Sequence, residues 1–298
     1  MSFAPGQFSR RRFLGLTAGA GLGAVLAACG GNGGTAGSGV LKIEGDLQLV
    51  KRFPTSGLVP GPVRLPVSLA DSTGILGNNQ ARTFPSELLA TVTDSTGATV
   101  AAGIVAVRRG DSHSVPYWAF IVDVPTTGVY SLRLDAASSA EVAFQVDDPA
   151  DVAAPVPGNV LPPFDTPTFD DGRGVDPVCS RAGEPCPFHS ITLTDALAAK
   201  KPVAYLIGTP AYCKTGTCAP GLEDLITVSK EVGDTFVFVH TDIYTDSTAT
   251  VVAPAVRAYA LDFEPVLYVT NADGTIETRL DAVFEAAEIR DALSRVVA

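Results

Sequence analysis

Seven prolines fall between positions 149 and 177: Pro149, Pro155, Pro157, Pro162, Pro163, Pro167 and Pro177. Each fixes φ and removes a backbone donor, so the stretch can hold neither a helix interior nor a central strand. It reads as a Pro-rich, semi-rigid linker over 149–177 that becomes an ordered lead-in from about 160, around Phe164 and Phe169. The chain is thereby divided into two bodies. Its 298 residues leave room for about two domains. Hydrophobic residues, at 46%, can fill two cores, and charged residues, at 18%, are too few for a disordered chain.

Ahead of the linker, residues 40–148 carry short alternating runs at 41–50, 63–69, 87–93, 100–107, 117–124, 129–134 and 141–146. Pro-Gly, Ser-Thr-Gly, Gly-Asn-Asn, Asp-Ser-Thr-Gly and Thr-Thr-Gly separate them, which is turn chemistry. Short strands without a helical period predict an all-β, antiparallel sandwich. The run Gly128-Val129-Tyr130-Ser131-Leu132 resembles the tyrosine corner of immunoglobulin-like domains, which implies an Ig-like β-sandwich domain, here without the inter-sheet disulfide. His113, in the polar run Arg108–His113, is expected to be solvated. Tyr117, Trp118 and Phe120 are expected in the core rather than in a recognition patch. Nothing in this body points to catalysis, so it is read as a spacer or a partner-binding module.

Behind the linker, residues 178–298 alternate between helical and strand periods. Helices are predicted at 191–200 (capped by Ser190), 220–230 and 284–297, with mixed helix and loop at 248–260. Strands are predicted at 203–207, 235–240, 265–270 and 275–280. This is the pattern of a mixed sheet covered by helices on both faces.

The chemistry lies in the cysteines. A continuous apolar run, Val203-Ala-Tyr-Leu-Ile207, leads through Gly-Thr-Pro-Ala-Tyr to Cys213, then Lys-Thr-Gly-Thr and Cys218, and then a helix. The thiolate is the nucleophile in disulfide exchange, and the unpaired N–H groups of a helix amino terminus stabilise it. A second thiol in reach resolves the mixed disulfide.

With its aromatic-Cys pair Tyr212-Cys213 and the run Glu264-Pro265-Val266-Leu267-Tyr268-Val269, this half resembles the thioredoxin fold over roughly residues 160–298. The resemblance implies an α/β thioredoxin-like domain and a probe-able division of labour. Cys213 attacks, Cys218 resolves, and Pro265, in the cis form, packs beside the dithiol as the substrate-side backbone contact. The spacing departs from the family's Cys-x-x-Cys. Residues five apart in a regular helix lie roughly 8 Å apart, beyond the disulfide limit near 7 Å, so the Thr215-Gly216-Thr217 segment must loop. Two alternatives stay open. The pair is a static disulfide in a non-catalytic binding or scaffold protein, or it holds metal. The metal alternative resembles the Sco-type copper chaperones, with Cys213, Cys218 and His240 as ligands, although their cysteine spacing is one residue shorter. His240 also reads as a strand-end residue with local hydrogen bonds.

Cys179 and Cys186 sit in the Gly/Pro turn Cys-Ser-Arg-Ala-Gly-Glu-Pro-Cys and are read as a structural disulfide, with an electron-relay pair as the alternative. His189 is read as part of the lead-in to the helix near Ile191. No Gly-rich phosphate loop lies between strand and helix, so no nucleotide or flavin cofactor is expected.

The fifth cysteine closes an address. Ser9-Arg10-Arg11-Arg12-Phe13-Leu14 followed by an uncharged Ala/Gly/Leu/Val run resembles a twin-arginine (Tat) export signal, and Leu26-Ala27-Ala28-Cys29 is similar to a bacterial lipobox. The resemblance implies a lipoprotein signal peptide over 1–28, with Arg10 and Arg11 as its export motif, and lipid attachment at Cys29. Residues 29–39, rich in glycine, then form a flexible tether. The net charge is −11, and residues 1–28 hold three arginines and no acid, so the remainder carries −14. A body so acidic is not a nucleic-acid binder. The expectation is a membrane-anchored protein of the bacterial cell envelope, on the outer face of the cytoplasmic membrane, exchanging disulfides with extracytoplasmic thiol or disulfide proteins.

Overall fold

The computed structural model describes residues 47–79, 83–135 and 140–297. Arg10, Arg11, Cys29 and the tether lie outside the described residues. The described residues belong to one compact unit.

Eight strands come first: β1 (Gln48–Lys51), β2 (Gly61–Asp71), β3 (Gly74–Ile75), β4 (Glu87–Asp94), β5 (Thr99–Arg109), β6 (Tyr117–Val124), β7 (Gly128–Leu134) and β8 (Glu141–Val146). Period-two alternation decides which face each presents. Along β6, Trp118, Phe120, Val122 and Val124 are buried while Ile121 and Asp123 face solvent. All eight strands join one antiparallel sheet in the order β1-β2-β6-β5-β4-β7-β8, with β3 paired to β2. β5 makes this possible. It bonds to β4 from Thr99 to Val107, with register shifts along that ladder, and to β6 only through Arg108 and Arg109. Gly103, inside β5, has φ of +63°, a conformation other residues rarely adopt. Bulges and a bent strand increase the twist, and the sheet curls until β1 lies against β8. Leu65, Leu69, Trp118, Phe120, Leu132 and Phe144 fill the space inside.

Four more strands, β9 (Val203–Ile207), β10 (Val237–Thr241), β11 (Val266–Thr270) and β12 (Ile276–Asp281), form a second sheet in the order β10-β9-β11-β12. β9 and β10 are parallel, and the other pairs are antiparallel. The helices are α1 (Leu193–Ala198), α2 (Cys218–Val232), α3 (Pro254–Ala258) and α4 (Ala286–Val297). β9 and β11 are buried throughout, and their continuous apolar runs follow from cover on both faces. Ala204 and Leu206 pack with α2 and α4 residues such as Leu225 and Ile289. Val203, Tyr205 and Ile207 pack with Leu193, Val256 and Tyr259.

The expected fold class, an immunoglobulin-like sandwich followed by an α/β thioredoxin-like fold, is corrected by this architecture. Among the described residues strands dominate, the first body is a single curled, nearly closed barrel-like sheet, and two of the four α-helices span only five and six residues. The protein is mostly β. The local signals were satisfied in a different assembly. Tyr130 does donate to the Thr126 carbonyl, at 2.8 Å, yet it does so without a two-sheet sandwich around it. Turn chemistry and alternation mark where strands are; they carry no information on which strand pairs with which.

The two sheets are joined by buried polar contacts. Arg64 of β2 reaches Glu288 of α4 at 2.7 Å and the Val283 carbonyl at 2.6 Å. Arg109 and the Gly110 N–H both bond to the Glu285 carboxylate. His113 is buried rather than solvated, and its Nε2 lies 3.1 Å from the Phe284 carbonyl. Tyr117, Trp118 and Phe120 are fully buried, as core residues should be.

Candidate functional site

The carboxyl end of β9 leads into the loop that carries the first thiol pair. Cys213 is anchored by its N–H to the Thr209 carbonyl at 3.2 Å, and Gly216, with φ of +68°, turns the chain back by donating to the Cys213 carbonyl at 3.1 Å. The segment therefore loops as the spacing required, and α2 starts at Cys218. Both sulfurs and a Glu264 carboxylate oxygen lie within 4.8 Å of one another. Cys213 is half-buried and Cys218 is 1% exposed.

Glu264 is a participant that the sequence reading missed. The Cys218 thiol donates to its Oε2 at 3.2 Å, and the Thr209 N–H donates to the same oxygen at 2.9 Å. The Glu264-Pro265 peptide bond is cis, as expected for Pro265. A Cβ on Gly208 would come within 3.2 Å of the Pro265 Cβ and 3.5 Å of the Cys218 sulfur, so a side chain here would press on its neighbours by a few tenths of an ångström. An acidic residue directly before a proline that opens a buried strand was the available signal.

The electrostatics divide the pair. The Cys213 pKa is lowered to about 4, chiefly by the neighbouring Cys218 thiol, against burial; the Thr215 hydroxyl and the N–H groups of Cys218 and Thr217 add to it. These last donors are the start of α2, where unpaired N–H groups favour negative charge. Cys218 is pushed strongly upward, by burial first and then by its bond to Cys213 and the charge of Glu264. Glu264 is raised to about 7, by burial first and then by the Cys213 charge. Arg52, just beyond β1, has its pKa lowered by burial and partly restored by the charge of Cys213. The barrel-like sheet thus sets a guanidinium in the field of the half-buried thiol, a link that separation in sequence conceals.

His240 is not brought to Cys213 and Cys218, so the copper-type ligand set of Cys213, Cys218 and His240 does not form. Its N–H bonds to the Phe188 carbonyl at 3.1 Å, and its imidazole joins Cys179, Cys186 and His189 instead. The segment before α1 meets β10 at the His240–Phe188 hydrogen bond and at the stacked rings of Phe188 and Phe238. His189 is fully buried in this second cluster rather than a mere lead-in to the helix, and α1 is capped by Thr192, not Ser190. Cys179 and Cys186 are both buried thiols here. The two clusters are tied together. Ser180 bonds to Asp242 and to Thr209, its oxygen also accepts from the Ala211 N–H, and Arg181 pairs with Glu223 of α2 at 2.6 Å.

A cavity of about 380 Å³, bordered by Arg64, Arg109, Arg279 and Glu288, includes none of the cysteines. No helix among the described residues is long and apolar enough to cross a membrane. No protein-family profile matches the chain, and no curated protein matches it by sequence.

Proposed function

We propose that the protein exchanges thiols and disulfides with other proteins through Cys213 and Cys218. One observation carries the reading: a half-buried thiol held near pKa 4 stands beside a buried thiol whose sulfur touches a carboxyl with a pKa near 7. The Cys213 thiolate attacks a substrate disulfide, forming a mixed disulfide and expelling one substrate thiolate. Glu264 takes the Cys218 proton; Cys218 then attacks the Cys213 sulfur and expels the second substrate thiol. The dithiol ends as a disulfide and the substrate has gained two electrons. The reverse sequence oxidises a substrate dithiol. Stabilising the Cys213 thiolate favours the reduced protein, which makes its disulfide an oxidant of partner dithiols. Pro265 supplies the backbone that a substrate strand meets beside the sulfurs.

The sequence motifs supply the setting. The twin-arginine motif at Arg10 and Arg11 and the lipobox-like Cys29 support a setting for this chemistry on an acidic, membrane-tethered protein outside the bacterial cytoplasm, with extracytoplasmic thiol proteins as partners. The test is turnover of a protein disulfide by the full mature chain. Cys213→Ser is expected to reduce it to background, and undiminished turnover in that variant would sink the proposal.

A further inference from the structure

Cys179, Cys186, His189 and His240 take no part in this exchange, yet their ligand atoms converge. All four residues are buried, at 5% exposure or less. The His240 Nδ1 lies 3.0 Å from His189 Nε2, 3.4 Å from Cys186 Sγ and 3.8 Å from Cys179 Sγ. Zinc–nitrogen bonds of about 2.0 Å and zinc–sulfur bonds of about 2.3 Å set the edges of a tetrahedral S₂N₂ site at roughly 3.3–3.8 Å. The observed separations sit close to those edges. From this geometry we infer that Cys179, Cys186, His189 and His240 form a closed, four-ligand zinc site.

The surroundings are arranged as a ligand shell requires. His240 Nε2 lies 3.0 Å from the Gly208 carbonyl. A proton held there by that acceptor leaves the Nδ1 lone pair directed at the cluster. The Cys186 N–H donates to the Cys179 sulfur at 3.4 Å, as backbone donors do to a ligating thiolate. His189 Nδ1 is buried and has no hydrogen-bond partner. A disulfide between the two cysteines would have no use for two imidazoles converging on its sulfurs. Charge selects the ion. Two thiolates and a divalent cation sum to zero in a fully buried pocket, whereas monovalent copper would leave an uncompensated negative charge there. With four protein ligands and no open position, the site is structural. Three ligands come from one loop and the fourth from β10. The ion would therefore clamp that loop to the sheet at Gly208, the residue packed against Cys218 and Pro265.

Zinc analysis of the full mature protein, isolated without chelator, tests this. About one zinc per chain is expected, kept in the Cys213→Ser/Cys218→Ser double variant and lost in Cys186→Ser. Replacing zinc by cobalt(II) in the wild type should give the intense visible bands of a tetrahedral ion with thiolate-to-cobalt charge transfer. His189→Cys, which keeps four ligands, should strengthen that charge-transfer band, so the assignment does not depend on a variant that fails to fold. Metal-free protein with a Cys179–Cys186 disulfide in peptide mapping would overturn the inference. Monovalent copper in place of zinc, or loss of the metal in the double variant, would overturn it equally. None of these readouts requires exchange activity, so failure of the zinc site and failure of the exchange reaction remain distinguishable.

Discussion

The protein carries two cysteine pairs of similar sequence spacing in opposite surroundings. Cys213 and Cys218 flank the amino end of α2, one of them partly open to solvent and the pair facing a carboxyl. Cys179 and Cys186 are sealed beneath two imidazoles along the edge of β10. Backbone donors, a carboxyl that can accept a proton and an open face favour attack on another sulfur. Imidazoles and complete burial favour holding the sulfurs still. Cysteine reactivity is thus decided by what surrounds the thiols.

The contrast is broken most severely by serine substitution. Cys213→Ser should abolish turnover while leaving the fold intact. Cys186→Ser should instead destabilise the protein, by on the order of 3 kcal/mol, because it unsatisfies a buried cluster; thermal unfolding measures the difference. Equal effects of the two substitutions on stability would erase the distinction drawn between the pairs.

Glu264→Gln sharpens the comparison at the level of mechanism. A positioned base contributes about a hundredfold or more, so resolution of the mixed disulfide should slow by about that factor in stopped-flow measurements. Its rate in the wild type should rise with pH as Glu264 loses its proton, at a pH below 7 because the mixed disulfide removes the Cys213 charge that helps to raise that carboxyl, and the variant should lose that rise. The same group bears on stability. Its folded-state pKa is raised, so its contribution is present below the ordinary carboxyl range and fades as pH climbs through about 7. Glu264→Gln should therefore gain relative stability at pH 8 compared with pH 5 in parallel denaturant titrations.

Alkylation provides a gentler contrast. Cys213 should react with iodoacetamide at a rate that is flat from pH 6 to 8 and declines only toward pH 4, following its depressed pKa. Cys179 and Cys186 should stay unmodified in the native protein. Smallest of all, Gly208→Ala should disturb both pairs at once. Its Cβ would press on Pro265 and Cys218, for about 1 kcal/mol and a modest loss of turnover.

Much of this was legible in the sequence, at the level of elements and pairs. The turn residues bounded the strands, and β6, β8 and β9 have the bounds that alternation and apolar run length suggested. The loop between Cys213 and Cys218 followed from helical geometry. Assembly was not legible. β5 serves both β4 and β6, so strands that implied a sandwich close into one curled sheet. His240 lies 54 positions from Cys186 in sequence, and only the docking of the 179–189 segment on β10, through the Phe188 carbonyl and the His240 N–H, brings the two together. Arg52 meets the field of Cys213 for the same reason: the barrel-like sheet packs on the second one, and no local pattern records that contact.

In the proposed exchange, electrons pass through Cys213 first and Cys218 second. Mixing reduced Cys218→Ser protein with a disulfide-bonded protein substrate, quenching with acid and mapping the linked peptides tests it most directly. One mixed disulfide per chain is expected, on Cys213, and it should persist because nothing resolves it. Linkage at Cys179 or Cys186, or no trapped species beside undiminished turnover, would contradict it.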